Sequence, residues 1–392
     1  MSVVCVSSDT SPPAPSPPTG AVSHLPGLPA NYNFEIPKTV QRIKEKAAKR
    51  VALQFPEGLL MFSVVISDLI EQATGAECVI LGDVTYGACC VDDLTAASLG
   101  CDFLVHYGHS CLISVKESAL PGCMMYVFVE IGIDVRHFIE TVKAHVPSDR
   151  RVLCVATVQF ISAMRAAIAA PGGLKEHFAT PVCVPQAKPL SGGELLGCTS
   201  PKVDETQFDV VIYLADGRFH LESLMIHNPK LACFLQYDPY QKVLTRERYD
   251  FDLMRRVRWD AIERARSATR VGLVMGTLGR QGNPRVVDRM RAIIEQSGRE
   301  CFLALMSEVM PDKLAKFPES IGCFVQVACP RLSIDWGYAF HAPLLSPYEC
   351  EVAFGTAGAA VGGGGGWGSD TYPMDHYAAS GGKWAVYTDK GF

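Results

Sequence analysis

Three stretches of the chain open on the same pattern, an Arg-Val pair leading a continuous apolar run: Arg50-Val51-Ala52-Leu53-Gln54-Phe55, Arg151-Val152-Leu153-Cys154-Val155-Ala156 and Arg270-Val271-Gly272-Leu273-Val274-Met275. Short apolar runs without alternation predict strands buried on both faces. A helix-like stretch follows each. The clearest is Pro284 to Ser297, where Val286, Val287, Met290, Ile293 and Ile294 share one face, Asn283 is placed to cap and Pro284 occupies the first turn. Further apolar runs close each repeat at Phe103-Leu104-Val105-His106-Tyr107, Val210-Val211-Ile212-Tyr213-Leu214 and Phe324-Val325-Gln326-Val327. Apolar strands alternating with helices predict βαβ units around a parallel sheet. The repeat starts lie about 100 and 120 residues apart, the size of one small α/β domain each. The expected fold class is therefore α/β, three similar small parallel-sheet (Rossmann-like βαβ) domains over residues 31–148, 149–265 and 266–352.

The flanks read differently. Residues 1–30 hold seven prolines among Ser, Thr and Ala, too little apolar surface to offset the entropy of ordering, so a disordered leader is expected. Within 353–392 the run Gly362 to Gly366 reads as a linker, and Trp367, Tyr372 and Trp384 after it suggest a last stretch that docks on a surface.

Composition narrows the function. The chain has 392 residues, 48% of them hydrophobic, enough for two or three domains with large cores. A net charge of −5 argues against direct contact with nucleic acid, which needs concentrated Lys and Arg. No apolar stretch approaches the roughly 18 residues of a membrane span. Fifteen cysteines occur without a basic region and apolar run at the N-terminus, so a reduced, cytoplasmic protein is expected. Cys78, Cys154, Cys233, Cys301 and Cys323 sit among Val, Ile, Leu or Phe and read as small core residues.

Three other cysteines follow apolar runs in Gly- or Pro-containing segments, one in each third of the chain: Tyr86-Gly87-Ala88-Cys89-Cys90, Leu195-Leu196-Gly197-Cys198-Thr199-Ser200-Pro201 and Val327-Ala328-Cys329-Pro330-Arg331. In parallel α/β sheets ligands gather where loops leave the carboxyl ends of strands. Three domains facing one centre would bring these thiols together in a pseudo-threefold arrangement. Three thiolates with no fourth suit a [4Fe-4S] cluster with one open iron; a closed zinc site wants four ligands, and the chain contains no Cys-x-x-Cys. Isolated cysteines are also often plain hydrophobes, and on residues alone both readings stand. Cys89 is preferred over its neighbour Cys90 because consecutive side chains diverge, and Cys111 is assigned to packing around the site. Polar candidates lie beside the same loops. Gly279, Arg280 and Gln281 open a helix after a strand, where backbone N–H groups receive anions or where the turn merely needs glycine. Asp216 leaves a strand end, and Arg331 follows Cys329 closely enough to pair with the carboxylate of a bound amino acid.

These phrases carry a resemblance. Together with Asn31 to Thr39 (NYNFEIPKT), Leu53 to Leu59 (LQFPEGL), Cys101 to Cys111 (CDFLVHYGHSC), Tyr213 to His220 (YLADGRFH), Gln236 to Tyr240 (QYDPY), Gly276 to Pro284 (GTLGRQGNP) and Asp335 to Gly337 (DWG), they resemble the 2-(3-amino-3-carboxypropyl)histidine synthase family, in its eukaryotic first-subunit form. Similarity runs from about residue 31 to about 352, with an echo at Tyr372 to Asp375. The resemblance implies a [4Fe-4S] cluster on Cys89, Cys198 and Cys329, and S-adenosylmethionine near Arg331, Arg280, Gln281, Gly279 and Asp216. It implies the first step of diphthamide synthesis, a radical transfer of the 3-amino-3-carboxypropyl group to a histidine of translation elongation factor 2. The implied partners are a homologous second subunit and a small iron protein with its reductase. A non-catalytic scaffold subunit and a zinc-stabilised interaction module are the rival readings.

Overall fold

A computed structural model describes residues 27–82, 86–355 and 371–387. Most of the expected leader, the run Gly362 to Gly366, Trp367 and residues 83–85 just before the first cysteine phrase lie outside them.

The three Arg-Val runs each become the first strand of a four-stranded sheet. After a short strand β1 (Tyr32–Asn33), the first sheet contains β2 (Arg50–Gln54), β3 (Glu77–Leu81), β4 (Phe103–Tyr107) and β5 (Met124–Val127), and β6 (Glu130–Ile131) returns to pair antiparallel with β1. The second contains β7 (Val152–Ala156), β8 (Val210–Leu214), β9 (Phe234–Asp238) and β10 (Val243–Glu247). The third contains β11 (Arg270–Gly276), β12 (Glu300–Met306), β13 (Cys323–Val327) and β14 (Leu344–Leu345). The first and third sheets are wholly parallel with equivalent orders, β3-β2-β4-β5 and β12-β11-β13-β14.

The second sheet departs from that order, reading β10-β9-β8-β7. The place beside β7 that corresponds to β3 and β12 holds the segment around Cys183, joined through single parallel bridges at Leu153–Cys183 and Ala156–Glu194. Pro181 and Pro185 flank that segment, and proline has no N–H to give a ladder, so only a fragment of strand survives. At the other edge β10 pairs antiparallel with β9, a hairpin that the sequence pattern left unassigned. Its turn is held by the Asp238 carboxylate, which accepts from the backbone N–H groups of Tyr240 and Gln241 at 2.8 and 3.0 Å.

The expected helix after β11 runs Pro284–Gln296, and the Asn283 side chain accepts from the N–H groups of Arg285 and Val286. Its face of Val286, Val287, Met290 and Ile294 is buried with Val271, Leu273, Val325 and Val327 of the sheet. The same packing group takes in Ala88 and Leu112 from the first unit, Leu190 from the second, and Tyr377, Val386 and Tyr387 from the C-terminal segment.

That segment, residues 371–387, docks as its aromatics suggested. Tyr372 donates to Glu349 at 2.9 Å, Tyr387 donates to the Leu112 carbonyl at 2.6 Å, and Arg289 donates to the Ala385 carbonyl at 2.6 Å. Glu349 itself closes a fully buried pair with Arg258, at 2.6 and 2.7 Å. Among the described residues no helix is long and apolar enough to cross a membrane.

Candidate metal centre

The three expected cysteines occupy three loops, one from each unit. Cys89 follows β3, the second strand of its repeat; Cys198 follows the strand fragment at Cys183, also second; Cys329 follows β13, the third. The centre therefore does not repeat the fold's pseudo-symmetry.

Each loop is fixed through its cysteine carbonyl. For Cys89 the holder comes from another unit: the Arg280 N–H donates to its carbonyl at 2.8 Å. Beside it the Cys90 carbonyl accepts from Gln54 at 2.7 Å, and the Gln54 oxygen accepts from the Asp92 N–H and faces Nδ1 of His106 at 2.8 Å. Cys198 sits in a tight turn closed by reciprocal Leu196 and Thr199 backbone bonds, and its carbonyl accepts from the His376 N–H at 3.2 Å. The Cys329 carbonyl accepts from the Gln326 side chain at 2.9 Å, and Cys329 caps the helix Pro330–Trp336.

The thiols converge. Cys89, Cys198 and Cys329 are half-buried and Cys90 is buried. The Cys89 thiol is held above its ordinary value by its hydrogen bond with Cys90, by burial, and by the charges that Cys90, Cys198 and Cys329 would carry. Burial, then repulsion from Cys329, pushes Cys198 up to about 12. Burial also raises Cys329, against the Arg331 N–H and guanidinium. Left alone, these thiols stay protonated at neutral pH; a cationic centre between them would draw the protons off. Cys90 instead receives hydrogen bonds from Cys89 and, at 3.4 Å, from Gln281. Among the described residues no group of three or more His, Cys, Asp or Glu side chains is arranged to hold a single metal ion. A closed zinc site would bring its donors within roughly 2.3 Å of one point.

The polar candidates sit at the loops, and their donors are already committed. The Arg331 guanidinium was expected to grip a substrate carboxylate. Its Nε bonds both Asp335 oxygens at 2.9 and 3.0 Å, Nη1 donates to the Phe219 and Gly197 carbonyls at 2.9 and 3.2 Å, and Nη2 donates to Glu222 at 2.5 Å. The Phe219 ring lies 4.2 Å from its carbon. Arg331 thus ties the Cys329 helix to the Cys198 turn. Arg280 is likewise taken, by buried Asp93 at 2.7 and 2.9 Å. Asp216 is exposed at the end of β8. Arg331 and Arg280 position the loops in this structure, because a buried charge with its fork already satisfied gains little by releasing its partners.

Two glycines permit the close approaches. At Gly279, φ is +54° and a Cβ would stand 2.6 Å from the Cys90 backbone; at Gly197 a Cβ would stand 2.1 Å from the Phe219 ring. Gly279 therefore lets this loop clamp the Cys89–Cys90 segment. Gly279→Ala is expected to lower thermal stability by about 1–3 kcal/mol, from the left-handed backbone and overpacking together. Differential scanning calorimetry measures this, and an unchanged transition would show that the loop yields freely.

Sequence reasoning missed Gln54, Gln326 and the segment from Met374 to Tyr377. The two glutamines did leave a signal: each is the lone polar residue near the carboxyl end of an apolar strand. Cys111 is exposed, and the charges around its thiol are those of Glu194, Lys38 and Glu35, not of the other cysteines.

The chain is similar to known proteins over most of its length. Residues 55–361 match the family described as "Putative diphthamide synthesis protein". The 2-(3-amino-3-carboxypropyl)histidine synthase subunit 1 of Dictyostelium discoideum is 52% identical over 368 residues, covering 92% of this chain and 74% of that protein. The Homo sapiens protein of the same name is 51% identical over 360 residues, covering 92% and 78%. Among solved structures, Dph2 of Pyrococcus horikoshii with a 4Fe-4S cluster superposes with a TM-score of 0.67 at 27% identity, covering 82% of this chain and 91% of that one. With this extent of match in sequence and in the three-sheet architecture, the chain belongs to the diphthamide synthesis protein family, among its synthase subunit 1 members.

Proposed function

We propose that Cys89, Cys198 and Cys329 hold a [4Fe-4S] cluster, and that the chain uses it with S-adenosylmethionine to transfer the 3-amino-3-carboxypropyl group to a histidine of translation elongation factor 2. The observation that carries this reading is the convergence of three thiols from three separately pinned loops. The donor set fits the group: three soft thiols, one from each loop, suit three corners of a cluster. The buried Tyr377 hydroxyl beside them has no hydrogen-bond partner among the described residues. When bound, such a cluster supplies an electron and an open coordination position to the sulfonium, breaking the bond between sulfur and the methionine γ-carbon in a radical transfer.

The chain's own residues would work by position. Gln54, Arg280, His376 and Gln326 fix the ligand loops, Arg331 and Glu222 brace two of them against each other, and apolar packing around the thiols keeps water out. The name subunit 1 borne by the relatives supports a homologous second subunit as partner. We place a small iron protein and its reductase as electron donors, and the cytoplasm as the compartment. Dithionite reduction of the anaerobically purified chain with S-adenosylmethionine should release methylthioadenosine, measured by chromatography. Recovery of 5′-deoxyadenosine as the main product would overturn the assigned bond cleavage.

A further inference from the structure

Beyond the ligand loops, the C-terminal segment enters the centre itself. Residues from Met374 to Tyr377 lie along the Cys198 turn. Ser200 donates its N–H to the Met374 carbonyl at 2.8 Å, Thr199 bridges to Asp375, His376 donates to the Cys198 carbonyl, and the Tyr377 N–H donates to Thr199 Oγ1 at 3.0 Å. The backbone of Tyr377 is thereby fixed one residue beyond His376, whose N–H meets the Cys198 carbonyl. Its side chain is only 2% exposed and packs in the same group as Cys89 and Cys198, with the Tyr387 ring 6.3 Å away.

The hydroxyl of Tyr377 is buried and makes no hydrogen bond. The ionisable groups that face it are the thiols of Cys89, Cys198 and Cys329 and the phenol of Tyr387. The Tyr387 hydroxyl is occupied by Leu112, so it does not serve as the missing partner. A buried donor left unpaired is costly, and an unsatisfied one in a native fold calls for an acceptor the protein itself does not supply. A phenol remains a donor at neutral pH, and thiolate or sulfide sulfur accepts.

Resting on the cluster reading above, we propose that Tyr377 is a positioning residue of the metal centre, donating a hydrogen bond to a sulfur of the bound cluster and so setting its reduction potential. A donor to sulfur stabilises the reduced, more negatively charged cluster and raises its potential. The segment beyond the glycine run thus tunes the electron that the three ligand loops hold.

The test compares the full chain with Tyr377→Phe, both prepared anaerobically with any partner subunit needed for loading. Iron and sulfide content, then potentiometric titration followed by electron paramagnetic resonance, are measured on each. The expected result is unchanged cluster content with the midpoint moved to a more negative potential. Tyr387→Phe, which removes a hydroxyl already paired with a carbonyl, should leave the midpoint in place. An unmoved midpoint in a fully loaded Tyr377→Phe protein overturns the inference. If that variant fails to hold iron, 3-fluorotyrosine placed at position 377 keeps the ring and sharpens the donor: a positive shift supports the hydrogen bond, and no shift overturns it. Absence of any cluster from the parent would overturn the proposed cofactor instead.

Discussion

Cys198→Ala is expected to leave a folded protein that retains background iron only. Its thiol is one of three that converge from separate loops, and a cluster deprived of one of three protein ligands has two irons left without a thiolate. Cys89→Ala and Cys329→Ala should behave alike, each measured by iron and acid-labile sulfide after anaerobic purification. The folding cost of each should stay within about 2 kcal/mol, as for most single substitutions, because the turns are held by their carbonyls and not by their sulfurs. Cys90→Ala should keep the cluster if Cys89 is the ligand of that loop; the two thiols hydrogen-bond each other and so do not diverge as expected from their adjacency. Loss of iron from Cys90→Ala with retention in Cys89→Ala would reverse the ligand assignment.

The cysteines were legible in the sequence because each stands in a turn phrase after an apolar strand, and strand ends are where an α/β sheet exposes its loops. The three Arg-Val starts were legible for the same reason: strands buried on both faces leave continuous apolar runs. The β9–β10 hairpin was not. Val243–Glu247 alternates weakly and is largely exposed, so it carries no core signature and pairs mainly through its backbone. Nor could the strand fragment at Cys183 be placed, since its flanking prolines hide it as loop. Arg331 misled for a different reason. Proximity in sequence to Cys329 was visible, but Glu222, which consumes one arm of its guanidinium, lies 109 residues away. A charge whose partners are distant in the chain looks free until the fold brings them in.

Arg331→Ala is therefore expected to act on stability, with a loss of about 3–5 kcal/mol in unfolding free energy. The side chain is 4% exposed and faces two carboxylates, Glu222 and Asp335. Removing it leaves Asp335 partly buried without its cation, leaves Glu222 with Arg218 alone, and frees the Gly197 and Phe219 carbonyls as well. Arg331→Lys should recover part of the loss, because an ammonium restores charge but not the fork that spans Asp335, two carbonyls and Glu222. Chemical denaturation of the apo and loaded protein measures both. A variant with parental stability but weakened S-adenosylmethionine binding would return Arg331 to the role of carboxylate clamp.

The bond between Tyr377 and Thr199 spans 178 residues, which sets an order on the making of the protein. As the chain leaves the ribosome, the Cys89 loop can form once the first sheet is out, yet the Arg280 N–H that pins it emerges much later, and the segment from Met374 to Tyr377 that flanks Cys198 emerges later still. Iron delivered to a nascent chain would meet thiols in unpinned loops. On the proposed cluster, loading would be a task for the chain carried past Tyr377, and a ribosome that stops before it would release a protein with all three thiols and no completed seat around them.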